Sequence, residues 1–225
     1  MSNSSKGLCR VAIMPRRLET PPTFLSGYVN SEALARAETL TNDKRRADFL
    51  WGRTLLTHLL NKTDADARLQ ERAPRTPLIV NGATPLYATI SHTVTWIGVA
   101  VCDTPVAIDL EVMAEHRAKP AIFDRVFGVG AWENHAENDP VGLFYKTWGL
   151  YECGIKLEGK LTGIAHGARV HLPDGSLCRH AFYMLPENTL LTIAGSFETV
   201  TLELAQVELN ALTFAPYPHA QATQL

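Results

Sequence analysis

The chain of 225 residues is 46% hydrophobic and 20% charged, which excludes a largely disordered polymer and leaves room for one large domain or two of about half that length. A formal net charge of -2 argues against a protein that neutralises bulk nucleic-acid phosphate, because that task needs a basic surface. No stretch approaches the ~20 apolar residues that span a bilayer, and Cys9, Cys102, Cys153 and Cys178 lack metal-site spacing. A cytoplasmic protein with reduced thiols, bound to neither membrane nor nucleic acid, is expected.

In chain order, a short apolar run from Val11 to Met14 predicts an edge strand. Ser31 then reads as the N-cap of a helix to about Leu40, and Thr41-Asn42-Asp43 opens a longer helix to about Leu60. Residues 61–85, broken by Pro74, Pro77 and Pro85, read as a loop. Three β-rich runs follow, Leu86–Ser91, Thr95–Cys102 and Val106–Glu111, whose short connections predict an antiparallel meander. Helices are expected at about 120–127 and 141–158, and strands at 168–172, 178–185, 189–196 and 199–208, before a loose tail over 215–225. Helices followed by strands, twice over, predict an α+β chain of two halves, 1–104 and 105–225.

Four segments bear on chemistry. In Val106-Ala107-Ile108-Asp109-Leu110-Glu111, alternation puts Asp109 and Glu111 on one face, where paired carboxylates suit a hard cation such as Mg²⁺ or, read alone, simple solvation. From Trp148 to Lys156, helical spacing sets Tyr145, Gly149, Glu152 and Lys156 in one stripe beside an apolar stripe of Phe144, Trp148, Tyr151 and Ile155. That stripe suits either an acid and a base at a site or a plain Glu-to-Lys surface pair, with Gly149 leaving room for a ligand in the first case. Ser91-His92 ends a strand and offers a hydroxyl and an imidazole to an anion, or forms an ordinary solvated turn. Lys44-Arg45-Arg46 with Arg53 places Arg46 and Arg53 on one helix face, which suits phosphate or water. The sequence has no Walker loop, no G-x-G-x-x-G and no G-x-S-x-G elbow.

Taken in order, Gly52-Arg53, Ile90-Ser91-His92, Val106 through Glu111 and Trp148 through Lys156 resemble the surfactin-type 4′-phosphopantetheinyl transferases, whose signatures read I-S-H-S, V-G-I-D-x-E and W-x-x-K-E-x-x-x-K. The resemblance covers about residues 42–165. It implies a fold of two similar α+β halves with the site in the cleft between them, working as a monomer. It also implies a Mg²⁺ held by Asp109, Glu111 and Glu152, and coenzyme A as co-substrate. Arg53, Ser91, His92 and Lys156, with Arg46 and Arg75, would grip the phosphates of coenzyme A. Asp109, Glu152 and Lys156 would carry the chemistry, and an apo acyl or peptidyl carrier protein would supply the accepting serine.

Three positions depart from the family pattern: Tyr151 stands at a family lysine, Arg75-Thr76-Pro77 at a G-K-P segment, and Ala107 at the glycine of V-G-I-D. The departures leave two other expectations open, a non-catalytic binder of coenzyme A or carrier protein and an unrelated Mg²⁺ hydrolase built on Asp109 and Glu111.

Overall fold

The computed structural model describes residues 7–72, 77–133, 139–159, 161, 170–208 and 211–218, leaving aside the side chains of Phe24, Ser26 and Phe127. It is a mixed α+β chain. The strands are β1 (Leu8–Pro15), β2 (Arg68–Gln70), β3 (Leu78–Val80), β4 (Tyr87–His92), β5 (Trp96–Cys102), β6 (Val106–Val112), β7 (Arg179–Leu185), β8 (Thr189–Gly195), β9 (Thr199–Val207) and β10 (Leu212–Pro216). The helices are α1 (Ser31–Glu38), α2 (Asp43–Thr63), α3 (Pro120–Phe127) and α4 (Pro140–Lys156). Among the described residues no helix is long and apolar enough to cross a membrane.

Two sheets carry the architecture, one in the order β10-β9-β1-β5-β4 and the other β6-β8-β7, with β2 and β3 as a separate ribbon. Apolar clusters define the layers. Val11 and Ile13 of β1 meet Ile108 and Leu110 of β6 and Ile193 of β8 between the two sheets. The opposite face of the larger sheet, with Ala12, Met14, Ile97 and Val99, is covered by Trp51, Leu55 and Leu59 of α2. The opposite face of the smaller sheet, with Ala107, Phe182 and Leu190, is covered by Phe144, Leu150 and Cys153 of α4. The order is therefore helix, sheet, sheet, helix, and period-two alternation sends neighbouring residues of β1 and β6 into different cores.

The helix starts follow local chemistry. Asn42 caps α2 by accepting from the Arg45 amide, and Asp139 caps α4 by accepting from the Gly142 amide, with Pro140 at the first helical position. At α1 the cap is Asn30, one residue before the expected Ser31, because the Asn30 side chain accepts from the Ala33 amide.

Several expectations are corrected. The run at Val11–Met14 is no edge strand: β1 lies inside the larger sheet, antiparallel to β5 and parallel to β9, since its residues face apolar layers on both sides. The 61–85 loop contains the last turn of α2 and the β2–β3 ribbon. The meander ends after two strands: β4 and β5 form a hairpin, but β6 pairs with β8 in the other sheet. Side chains replace a backbone ladder between β4 and β6, where Thr89 Oγ1 accepts from the Ile108 amide (3.3 Å) and Ser91 Oγ from the Leu110 amide (3.1 Å). No strand spans the described part of 168–172; His171 and Leu177 make one isolated bridge, and the rest of that span lies outside the described residues. The start of the expected tail belongs to β10. Strand β9 also pairs with β1 in parallel, and β10 extends that sheet beside β9.

Candidate functional site

Asp109, Ser91 and Lys156 are in contact where β4, β6 and α4 pack together, and Glu111 and Glu152 are near enough to feel the Asp109 charge. Strand β6 is fixed from below by the apolar layer under Ile108 and Leu110 and from the side by the hydroxyls of β4, so its opposite face presents Asp109 and Glu111 toward α4. Asp109 is only 6% exposed. Its Oδ1 accepts from Lys156 Nζ at 2.7 Å and from Ser91 Oγ at 3.2 Å, while its Oδ2 is buried without a hydrogen-bond partner. Lys156, in the last turn of α4, also donates to the Ile108 carbonyl at 2.8 Å and to Ser91 Oγ at 3.2 Å. Glu111 is half-buried, and its Oε1 accepts from Trp148 Nε1 at 3.2 Å.

The electrostatics are those of crowded carboxylates. Burial and then the Asp109 charge raise Glu111, against the Trp148 hydrogen bond, and Glu152 adds to the rise. Glu152 is raised in turn by burial and by Asp109, while Lys156 pulls the other way. The Asp109 charge thus acts on both glutamates, and the Lys156 ammonium offsets it at Glu152. Among the described residues, no three Asp, Glu, His or Cys side chains are already gathered as a metal-binding group. The donor chemistry nevertheless fits a hard divalent cation: all three acids carry oxygen, one buried oxygen of Asp109 is orphaned, and burial followed by the Asp109 charge raises both glutamates.

Beside this cluster a cleft of about 590 Å³ runs between the start of α2, the end of β4 and the end of β6. Arg16, Lys44, Arg45 and Arg117 line it against two carboxylates, Asp48 and Glu111, with His92 and His116 among the walls. Arg16 and Asp48 are joined by a buried bidentate pair, at 2.5 and 2.6 Å, leaving Lys44, Arg45 and Arg117 as the cations offered to a ligand. His92 is exposed at the end of β4; partial desolvation by the surrounding protein lowers its imidazole, Asp48 counters that, and Arg16 and Lys156 add to it. Such a cleft favours anions. A larger groove of about 960 Å³ lies at the other end of α2, by Tyr28, Leu60 and Val80, and holds none of the sequence-predicted site residues.

The sequence-predicted residues divide accordingly. Asp109, Lys156 and Ser91 come into contact, Glu111 and Glu152 feel the Asp109 charge, and His92 opens into the adjoining cleft. Arg53 does not line the cleft: it is 7% exposed, grips Glu71 at 2.6 and 2.9 Å, and stacks on Phe49 at 4.4 Å, with Arg36 as the second cation on Glu71. Arg46 closes the end of α1 by donating to the carbonyls of Ala37 and Leu40. Arg75 and Thr76 lie outside the described residues. Basic residues of α2 do face the cleft, but they are Lys44 and Arg45; the Arg46–Arg53 face turns toward α1 and Glu71. Trp148, expected in a buried apolar stripe, supplies the donor to Glu111.

Gly149 is also reassigned. A Cβ there would stand 2.2 Å from Thr192 Oγ1, so the glycine lets α4 approach β8 and leaves no ligand space. The buried stripe of α4 runs through Tyr145, Gly149 and Cys153, whereas Ile155 of the expected apolar stripe is 52% exposed. Tyr151 packs tilted against Trp148 with ring centroids 5.6 Å apart, and Ala107 packs in the core under α4. Compared with known protein families and with curated proteins, the chain matches none.

Proposed function

We propose that the chain transfers the 4′-phosphopantetheine arm of coenzyme A to a serine of an apo acyl or peptidyl carrier protein. The observation that supports this reading is the buried Asp109–Lys156 pair, with Glu111 and Glu152 in reach of the Asp109 charge, beside a cleft lined by Glu111, Lys44, Arg45 and Arg117. A pyrophosphate ligand needs both parts: a cationic wall for its charge and oxygen donors for the cation that accompanies it. The two-layered pairing of α2 with one sheet and α4 with the other accords with a pseudo-dimeric transferase fold.

Asp109, Glu111 and Glu152 are the residues that would hold Mg²⁺, which when bound neutralises charge on the phosphate oxygens. Lys156 holds Asp109 in place before the ligand arrives and would turn its ammonium toward a phosphate oxygen once the Asp109 carboxylate is taken over by Mg²⁺. Glu152, raised by burial and by Asp109, accepts the proton of the carrier serine at a carboxylate oxygen. The serine oxygen bonds to the phosphorus bearing pantetheine, the bond from that phosphorus to the bridging oxygen breaks, and 3′,5′-ADP leaves with the electron pair. The wall of Lys44, Arg45 and Arg117 orients the nucleotide end during this exchange.

Incubating the full chain with an apo carrier protein, coenzyme A and Mg²⁺, then weighing the carrier, tests the reading. A gain equal to one phosphopantetheine on the carrier serine is expected. An unchanged carrier with coenzyme A bound to the chain would make it a non-catalytic binder, an outcome consistent with the aromatic Tyr151 in place of a lysine. Cleavage of a phosphoester without any carrier would make it a hydrolase.

A further inference from the structure

Two of the four cysteines face each other across the larger sheet. The β1–β5 register sets Arg10 opposite Val101, and one step further along both strands sets Cys9 opposite Cys102. Both side chains lie in the layer between the sheets, so they share a face. The hydrogen-bond parity of the ladder fixes the kind of pair. The Arg16 amide donates to the Thr95 carbonyl directly opposite, at 2.7 Å, which makes that pair a hydrogen-bonded one. Alternation then makes Arg10 with Val101 hydrogen-bonded and Cys9 with Cys102 non-hydrogen-bonded. Non-hydrogen-bonded antiparallel pairs have Cα atoms about 4.5 Å apart, inside the range of about 4.4–6.8 Å that a disulfide spans.

The chemistry of the two sulfurs is unequal. Cys102 Sγ contacts Thr104 Oγ1 at 3.1 Å, and a hydrogen bond from the Cys9 thiol together with that from Thr104 lowers Cys102 to about 7, against the burial that raises it. Cys9 is raised well above its ordinary value by the same thiol pair and by burial. Cys153 and Cys178 lie in the other core, where burial raises Cys153 strongly and Cys178 to about 11. Cys102 is the last residue of β5, beside the 103–105 turn, where strand ends open most readily.

We infer that Cys9 and Cys102 are a peroxide-responsive dithiol that closes reversibly to a cross-strand disulfide. The Cys102 thiolate attacks one oxygen of hydrogen peroxide, the O–O bond breaks, and hydroxide leaves, giving a sulfenic acid. The Cys9 sulfur then attacks the Cys102 sulfur, its proton and the sulfenic hydroxyl leave as water, and the S–S bond forms. The pair is exposed by only 0% and 1%, so peroxide, close to water in size, reaches it as the end of β5 beside the 103–105 turn opens. The bridge ties the start of β1 to the turn that opens β6, the strand of Asp109.

The test treats the folded, fully reduced chain with equimolar hydrogen peroxide, quenches it in denaturant with a thiol-alkylating reagent, and maps the peptides by mass. The expected result is the loss of two of four alkylatable thiols, a peptide linking Cys9 to Cys102, and recovery of all four thiols with dithiothreitol. Cys102→Ser is expected to keep its three remaining thiols under the same treatment. Four free thiols after peroxide, or a bridge containing Cys153 or Cys178, would overturn the inference; the map of the wild-type chain decides it even where the variant folds poorly.

Discussion

Lys156 reaches from the end of α4 to a carbonyl, a hydroxyl and a carboxylate on two other strands, so a single side chain ties the site together before any ligand binds. Lys156→Ala is expected to leave the buried Asp109 charge unpaired, destabilise the chain by about 3 kcal/mol in urea unfolding, and abolish transfer. Glu152 carries the opposite sign. A carboxyl whose folded value lies above its ordinary 4.5 binds more protons folded than unfolded, so its cost to stability is absent below about 4.5 and appears as pH rises through the folded value. Glu152→Gln is therefore expected to raise the urea midpoint of the ligand-free chain at neutral pH, with the gain shrinking toward pH 4.5, while transfer is lost; an unchanged midpoint at pH 7 contradicts this. Arg53→Ala breaks the buried pair with Glu71 and is expected to cost about 3 kcal/mol, with coenzyme A affinity in the folded fraction within threefold of wild type. A large loss of affinity at unchanged stability would return Arg53 to the phosphate site.

At the scale of elements, period-two alternation in Val106–Glu111 was readable in the sequence and placed Asp109 and Glu111 on one face, as the two cores confirm for their neighbours. The face of α4 was less readable. Phe144, Trp148, Tyr151 and Ile155 form a regular apolar stripe, yet the buried one is set by Gly149, whose missing side chain lets the helix settle on Thr192. Composition favoured large residues where close approach favoured a small one. Gly149→Ala is expected to force α4 outward and cost about 1–3 kcal/mol, a larger penalty than helix propensity alone, which would favour alanine. Basic character in α2 was equally visible, but its direction was not, because Glu71, 18 positions further along the chain, claims Arg53 and the end of α1 claims Arg46.

Across the whole molecule, the α+β class was legible from the run of periodicities, whereas the pairing of β1 with β9 was not, since residues 8–13 and 199–204 carry no local signal of each other. That pairing and the shared layer between the sheets bury residues from Cys9 to Tyr217 in one cluster. Fragments 1–104 and 105–225 are accordingly expected to lack cooperative unfolding when made separately and to regain it on mixing, as followed by circular dichroism. Cooperative melting of either fragment alone would mean that the halves hold their own cores.

Central to the account is the sharing of one divalent ion by acids from a strand and a helix. Calorimetric titration of Mg²⁺ into the chain with coenzyme A present tests it most directly. The account expects one site per chain, weakened at least tenfold in Asp109→Asn and in Glu152→Gln while circular dichroism stays unchanged. Absence of binding to the wild-type chain, or equal affinity in both variants, would contradict it.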